Sequence, residues 1–340
     1  MRRAAEVLVA MGILVMMDCA PARAVTARVE RRLMTMGTSL DLTIDAVDRA
    51  HALAASELAV EAIERADARL STWRDDSELA RFNRAPAGVP QPVSPELAAD
   101  LAAARACWAR TGGAFDPGIG ALVAAWGLRN GGRVPDAAER ERAVAAGGIA
   151  SLTVTAGTAT RGKAGLVIEE GGFGKGAALA DAVAALRSAP GVVSAQLDFG
   201  GQVAVVGPGG FRVDVADPTD RERPAVSLTV ASGSVATSGN SERGITVGGR
   251  RYGHLLDPRS GEPVADFGSI TVWAESAFDA DCLSKLYVLG AEGALRWAAA
   301  HPEVQVLVLR RDESGVTALA SQGLRGRIVP LSNEVRIELR

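Results

Sequence analysis

The chain has 340 residues, 48% hydrophobic and 23% charged, a balance that excludes intrinsic disorder and supplies a sizeable core. Its 37 basic and 40 acidic residues give a formal net charge of -3, and no long run carries one sign, so bulk electrostatic binding to nucleic acid is excluded as well. Only Lys163, Lys175 and Lys285 are lysines; by difference (37 − 3), 34 of the basic residues are arginine. The three cysteines, Cys19, Cys107 and Cys282, lack metal-ligand spacing and are too few for a disulfide framework in so long a chain. Packed thiols are expected at Cys107 and Cys282.

The N-terminus reads as an address. Arg2 and Arg3 precede an apolar run from Ala4 to Met17, and Ala22-Arg23-Ala24 places small residues where a signal peptidase cleaves, before Val25. The run is shorter than the roughly 20 residues that span a bilayer. Lipidation at Cys19 is the alternative, and Asp18 stands where a small residue is expected before a lipidated cysteine. The expectation is a signal peptide over 1–24 and a soluble periplasmic domain over 25–340.

Alternation around Leu40, Leu42 and Ile44 predicts a strand from Met34 to Ile44, with Met36-Gly37-Thr38 near its start. A long helix follows from Ala46 to Leu70, with Leu53, Leu58, Ala62, Ile63 and Ala66 near one face. Ser77 suits the N-cap of a short helix through Phe82. A proline-rich loop then leads to an Ala-rich helix from Pro95 to Ala109, closed by Thr111-Gly112-Gly113. From Leu152 onward strand patterning returns: Leu166–Ile168, Val192–Leu197, Val203–Val206, Phe211–Val215 and Val226–Val230. A helix from Gly176 to Arg187 interrupts them, opened by the turn Gly171-Gly172-Phe173-Gly174-Lys175-Gly176. Ser269–Trp273 reads as a strand, Ala280–Leu289 as a helix and Val304–Leu309 as a late strand. Without a regular βαβ count, the chain reads as α+β: mixed sheets with packed helices in a single large domain.

Four stretches can carry chemistry. The glycine turn offers free backbone N–H groups at a helix start beside Lys175, which suits a phosphate; it has neither Walker nor Rossmann spacing, and a tight strand-to-helix turn is the simpler reading. Gly113-Ala114-Phe115-Asp116-Pro117 brings backbone and one carboxylate close to a ligand, or simply starts a turn. His254, in glycine, proline and carboxylate surroundings, can take a proton from an attacking hydroxyl, or serve as a hydrogen-bonded structural imidazole. Asp279 and Asp281 can cap a helix, or hold magnesium where further oxygens complete the shell.

The order of these stretches resembles the ApbE family, the FAD:protein FMN transferases. The matching residues are Met36-Gly37-Thr38, Leu70 to Asn83, Gly113 to Pro117, Gly174-Lys175-Gly176 with Asp181, Gly200-Gly201, Thr237-Ser238-Gly239, His254 with Asp257 to Gly261, and Ala280-Asp281 with Leu289-Gly290. The resemblance implies an ApbE/T-fold-like catalytic domain. Its implied activity is magnesium-dependent transfer of FMN from FAD to a Thr or Ser of a target flavoprotein, with release of AMP. The implied partner class is a membrane electron-transfer subunit. By the same resemblance Met36, Trp73, Ala114, Phe115, Asp116, Glu169, Lys175 and Leu255 lie around FAD. His254 assists proton removal, Asp281 binds magnesium and Gly172 supplies a carbonyl; since the ammonium of Lys285 cannot ligate magnesium, either Ser284 replaces the missing oxygen or Lys285 contacts phosphate itself. This chain departs from the family pattern in carrying Lys285 where Thr is common, Glu169 where Asp is common, and Asp198 where Asn is usual. A magnesium-dependent FAD pyrophosphatase and a non-catalytic FAD-binding protein are the alternatives.

Overall fold

The computed structural model describes residues 26–240, 244–313 and 315–340; the expected signal peptide and Cys19 lie outside them. In chain order the first elements are β1 (Ala27–Thr35), β2 (Thr38–Ala46), α1 (Arg49–Leu70), α2 (Glu78–Arg84), β3 (Gln91–Pro92), α3 (Pro95–Arg110), α4 (Gly120–Ala125) and α5 (Ala137–Ala146). Next come β4 (Leu152–Thr155), β5 (Thr158–Arg161), α6 (Gly174–Ser188), β6 (Val192–Phe199), β7 (Gln202–Val206), β8 (Phe211–Asp217), β9 (Asp220–Val230) and β10 (Gly233–Gly239). The chain continues through β11 (Gly244–Val247), β12 (Arg250–Gly253), β13 (Ser269–Ala274), α7 (Ala277–Leu283), α8 (Gly290–Ala299), β14 (Gln305–Asp312), β15 (Gly315–Ala320), β16 (Ile328–Pro330) and β17 (Val335–Leu339).

One sheet organises the domain, in the order β1-β2-β6-β7-β10-β13-β14-β15-β17. Every pairing in it is antiparallel except β15 with β17. Because strand side chains alternate between faces, one sequence feeds two cores. On β7, Ala204 and Val206 pack with α1 and α6, while Val203 and Val205 face the smaller sheet β16-β9-β8. On β14, Val306 and Val308 join the helical layer and Leu307 and Leu309 join the sheet layer. The result is a three-layer α+β domain, with helices on one face of the large sheet and a second sheet on the other.

The helices begin where short polar side chains accept the first free N–H groups. Asp48 accepts from His51 N at 2.9 Å, Ser77 from Ala80 N at 3.0 Å and Ser94 from Leu97 N at 3.1 Å. α1 packs on α6 through Ala55, Ala59, Ala62, Ile63 and Ala66 against Ala178, Leu179 and Ala182. Small side chains there permit close approach, and this turns Leu53 and Leu58 outward, 42% and 40% exposed. The expected face for those two leucines is therefore corrected. Leu42, fully enclosed between α1 and the sheet, is a position where truncation to Ala would cost about 2–5 kcal/mol.

Three further expectations change. Leu166 and Ile168 are buried without strand pairing; at Ile168 the Asn83 amide takes the neighbouring strand's place, accepting from Ile168 N and donating to Ile168 O, both at 2.9 Å. The helix expected over Ala280–Leu289 starts earlier, at Ala277, with Ser276 as its cap, and tightens into a 3₁₀ turn over Ser284–Leu289. Asp279 and Asp281 thus lie inside α7, and neither is its N-cap. Cys107 and Cys282 are not free thiols: they form a disulfide that ties α3 to α7.

Candidate functional site

The site is built where α6 and α7 meet. A 3₁₀ turn over Glu170–Gly172 runs directly into α6, whose N-cap residue Phe173 offers no side-chain acceptor. The backbone N–H of Gly176 instead donates to Asp281 Oδ2 at 2.9 Å. Only glycine fits here, because a Cβ on residue 176 would stand 2.6 Å from Ala277 O and 2.7 Å from Asp281 Cβ. Two carboxyl-bearing and glycine-bearing segments, 105 residues apart, are pressed together by that missing side chain.

Asp281 is 2% exposed, and Lys285 lies one helical turn on. The Lys285 ammonium donates to Asp281 O at 3.1 Å, to Asp281 Oδ1 at 3.0 Å and to Ser284 Oγ at 2.9 Å. Ser284 Oγ also lies 2.6 Å from Asp281 O and 2.7 Å from Ser238 Oγ on β10. Burial pushes the Asp281 carboxyl up, but the positive charges of Lys285 and Lys175 and the Gly176 N–H outweigh it, so Asp281 is held below the usual carboxylate range. For Lys285, burial outweighs the attraction of Asp281 and lowers the ammonium from its ordinary value. Two of the three lysines in the chain therefore act on one carboxylate. Gly172 completes the group: a Cβ there would lie 3.6 Å from Lys285 Cε and 3.1 Å from the Phe115 ring.

The structure thus brings together the three expected magnesium residues, Gly172, Asp281 and Ser284, around an ammonium. Magnesium takes six oxygen ligands at about 2.0–2.1 Å. Here three of the nearest oxygens, Asp281 O, Asp281 Oδ1 and Ser284 Oγ, each accept an N–H of Lys285. The residues present do not fit a divalent ion while Lys285 stands among them. Among the described residues, no group of three or more His, Cys, Asp or Glu side chains could hold a metal elsewhere.

A second set of residues lines the rim of the glycine turn. Arg129 donates to Thr72 O at 2.8 Å and also bonds Thr72 Oγ1 and Glu169, while Thr72 bonds Glu170. The Arg129 guanidinium lies 4.5 Å from the centroid of the Trp73 ring, a cation–π arrangement that holds the indole at the surface, 73% exposed. Burial raises the Glu169 carboxyl against the pull of Arg129. Met36 occupies the β1–β2 turn with φ 46°, in the left-handed region, followed by Gly37 at φ 71°. A Cβ on Gly174 would be 3.7 Å from Met36 Cε, so the hairpin tip reaches the glycine turn.

Ala114 and Phe115 are buried, with Phe115 beneath Gly172. The Asp116 carboxylate accepts from Gly118 N at 2.7 Å and Ile149 N at 2.9 Å, so it holds its own loop; burial raises its pKa against those two bonds. His254 is half-buried just after β12, and Leu255 N donates to Asn240 Oδ1 at 3.1 Å. Asn240 Nδ2 donates to Val264 O at 2.8 Å. Asn240 follows Ser238 on the same run of chain, so the His254 loop is tied by short steps to the Ser284–Lys285 group. A groove of 470 Å³ lined by Arg110, Val183, Glu275 and Asp279 meets the site only at Ala277, behind Gly176.

Sequence reasoning missed Arg129 and Glu170. Arg129 is one of 34 arginines in no motif, and nothing local marks it; Glu170 directly follows Glu169 and gave a weak signal as an acidic pair before the glycine turn.

A three-layer α+β domain with its polar loops gathered on a glycine turn has the architecture of the solved flavin transferases. The apo form of the Pseudomonas stutzeri flavinyl transferase ApbE superimposes with a TM-score of 0.78 at 24% identity, covering 89% of this chain and 97% of that one. The Thermotoga maritima ApbE protein gives 0.76 at 28% identity, covering 84% and 94%. The ApbE family model matches residues 36–308, and the chain belongs to that family. Among curated relatives, the Klebsiella pneumoniae FAD:protein FMN transferase is 30% identical over 302 residues, covering 85% of this chain and 86% of its own. The Treponema pallidum FAD:protein FMN transferase is 32% identical over 282 residues, covering 76% and 77%.

Proposed function

We propose that the protein is an FAD:protein FMN transferase. The hydroxyl of a Thr or Ser on a target protein attacks the FMN phosphorus of FAD. A new P–O bond forms to the hydroxyl oxygen, the bond from that phosphorus to the bridging oxygen breaks, and AMP leaves with the bridging oxygen. The observation that carries this reading is the convergence of Lys175, Lys285 and the start of α6, whose N-cap residue supplies no acceptor, on one carboxylate-anchored turn. A phosphoanhydride needs positive charge and oriented donors of this kind.

In this reading His254 takes the proton from the target hydroxyl. Met36, Trp73, Ala114, Phe115, Glu169 and Leu255 border the flavin, with the exposed Trp73 face available for stacking. Asp116 contributes by holding the Phe115 loop through Gly118 and Ile149. Asp281 anchors Gly176 and the two lysine charges. Lys285 takes the oxygens that would bind magnesium.

We place the protein in the periplasm, directed there by residues 1–24. The Cys107–Cys282 disulfide supports an oxidising compartment. A membrane electron-transfer subunit is the class of target. The test is mass spectrometry of an acceptor domain incubated with FAD and the chain from Val25. A gain of one FMN on the acceptor is expected; FMN and AMP appearing without an acceptor would instead identify a hydrolase.

A further inference from the structure

We infer that Lys285 is a built-in cation that replaces a divalent metal at this centre, so that flavin transfer here needs no added metal. The inference rests on the transferase reading for its activity arm and on geometry alone for its binding arm. Three observations carry it. The ammonium is tied to Asp281 O, Asp281 Oδ1 and Ser284 Oγ, so all three N–H donors have acceptors. These oxygens, hard donors converging on one point, are the kind that a small divalent cation binds. The Lys285 side chain keeps 15% of its surface accessible, at the turn where Gly172 leaves room above its stem.

Charge leads to the same conclusion. Around Asp281 itself, Lys175 and Lys285 leave one local positive charge, while Glu169 and Glu170 face Arg129 and Thr72 at the rim; a diphosphate placed over the lysines meets positive charge without an ion from solution. A divalent ion entering among the same oxygens would meet the Lys285 charge within hydrogen-bonding distance of its ligands. The tethered ammonium therefore neutralises phosphate as a fixed point charge and keeps metals out.

The test compares the wild-type protein with Lys285→Thr, which removes the ammonium and supplies the hydroxyl common in the family at this position, and Lys285→Met, which keeps most of the side chain's length without its charge. FMN transfer is measured by acceptor mass in EDTA and in excess magnesium, and Mn²⁺ binding by electron paramagnetic resonance on the same samples. The expected wild-type result is equal transfer in EDTA and magnesium, with no stoichiometric Mn²⁺. Lys285→Thr is expected to bind Mn²⁺ and to transfer only with metal. Lys285→Met should bind no Mn²⁺ and hold FAD more weakly by about tenfold, as for the loss of one nearby positive charge. Wild-type protein that binds stoichiometric Mn²⁺, or transfers only with metal, overturns the inference; so does a folded Lys285→Thr variant that binds none. Should no sample transfer FMN under any condition, the transferase reading fails, while the Mn²⁺ spectra still decide the role of Lys285.

Discussion

Replacing both halves of the Cys107–Cys282 bond with alanine tests whether α3 and α7 are covalently joined, and the expected loss is large. The bond closes a loop across a sequence separation of 175. In the chain-entropy treatment such a cross-link restricts the unfolded chain by about 5 kcal/mol at 25 °C. Folded domains are stable by about 5–15 kcal/mol, so one bond carries a third or more of the total. Both sulfurs lie in the main core beside Leu101, Ala104 and Leu283, where alanine adds no unmet polar group. Urea denaturation followed by circular dichroism should show the C107A/C282A variant losing about 3–5 kcal/mol. Its slope against urea should steepen, since the released unfolded chain exposes more surface. Thiol titration of the denatured wild-type chain should find only Cys19, and none after cleavage before Val25. Two further reactive thiols, or a loss under about 1 kcal/mol, would refute the reasoning.

His254→Ala should abolish FMN transfer while FAD binding, followed by flavin fluorescence, is retained; full activity would remove His254 from the proton transfer. Gly176→Ala should destabilise the fold by about 1–3 kcal/mol and weaken FAD binding, because its Cβ meets Ala277 O and Asp281 Cβ within 2.7 Å; a thermal melt and an FAD titration check both. Asp100 titrates in a predictable direction. Burial pushes its carboxyl up to about 6, and Arg69, shared with Asp181 at 2.8 Å, pulls it back only in part. The folded state then binds the extra proton between about pH 4 and pH 6. Stability should therefore fall as pH rises through that window, by up to roughly 3 kcal/mol. Asp100→Asn should flatten the slope in urea titrations across it, and an unchanged slope would show that another group is responsible.

What the sequence made legible was local. Ser77 and Ser94 mark helix starts because a hydroxyl one residue before the helix meets a free N–H, and the alternation of Leu40, Leu42 and Ile44 is visible because one face of β2 is dry. The site's loops were readable as well, since Gly172, Gly174 and Gly176 lie together along the chain. What escaped depends on distance. Nothing in either cysteine's surroundings tells that a partner lies 175 residues away. Leu53 and Leu58 looked like core, yet the alanine face of α1 wins because it lets α6 come closer. Leu166–Ile168 has the composition of a strand, but its backbone is satisfied by scattered partners, the Asn83 amide at Ile168, Gly120 N at Val167 O and the Arg161 guanidinium at Leu166 O. Lys285 was visible as a departure from the family pattern, but its three acceptors appear only once α7 tightens into the following 3₁₀ turn.

The scarcity of lysine, together with the gathering of Lys175 and Lys285 on Asp281, has a practical consequence for labelling. Arginine is inert to reagents that acylate or reductively alkylate primary amines, so the chain from Val25 offers such reagents only three side chains and its own N-terminus. Lys163, which bonds Ala145 O at 3.0 Å on the exposed surface, serves as an internal reference for full reactivity. Isotopic methylation would then tag Lys175 at the centre against an almost silent background with no engineered handle, while the enclosed Lys285, its three N–H donors engaged, reacts slowly.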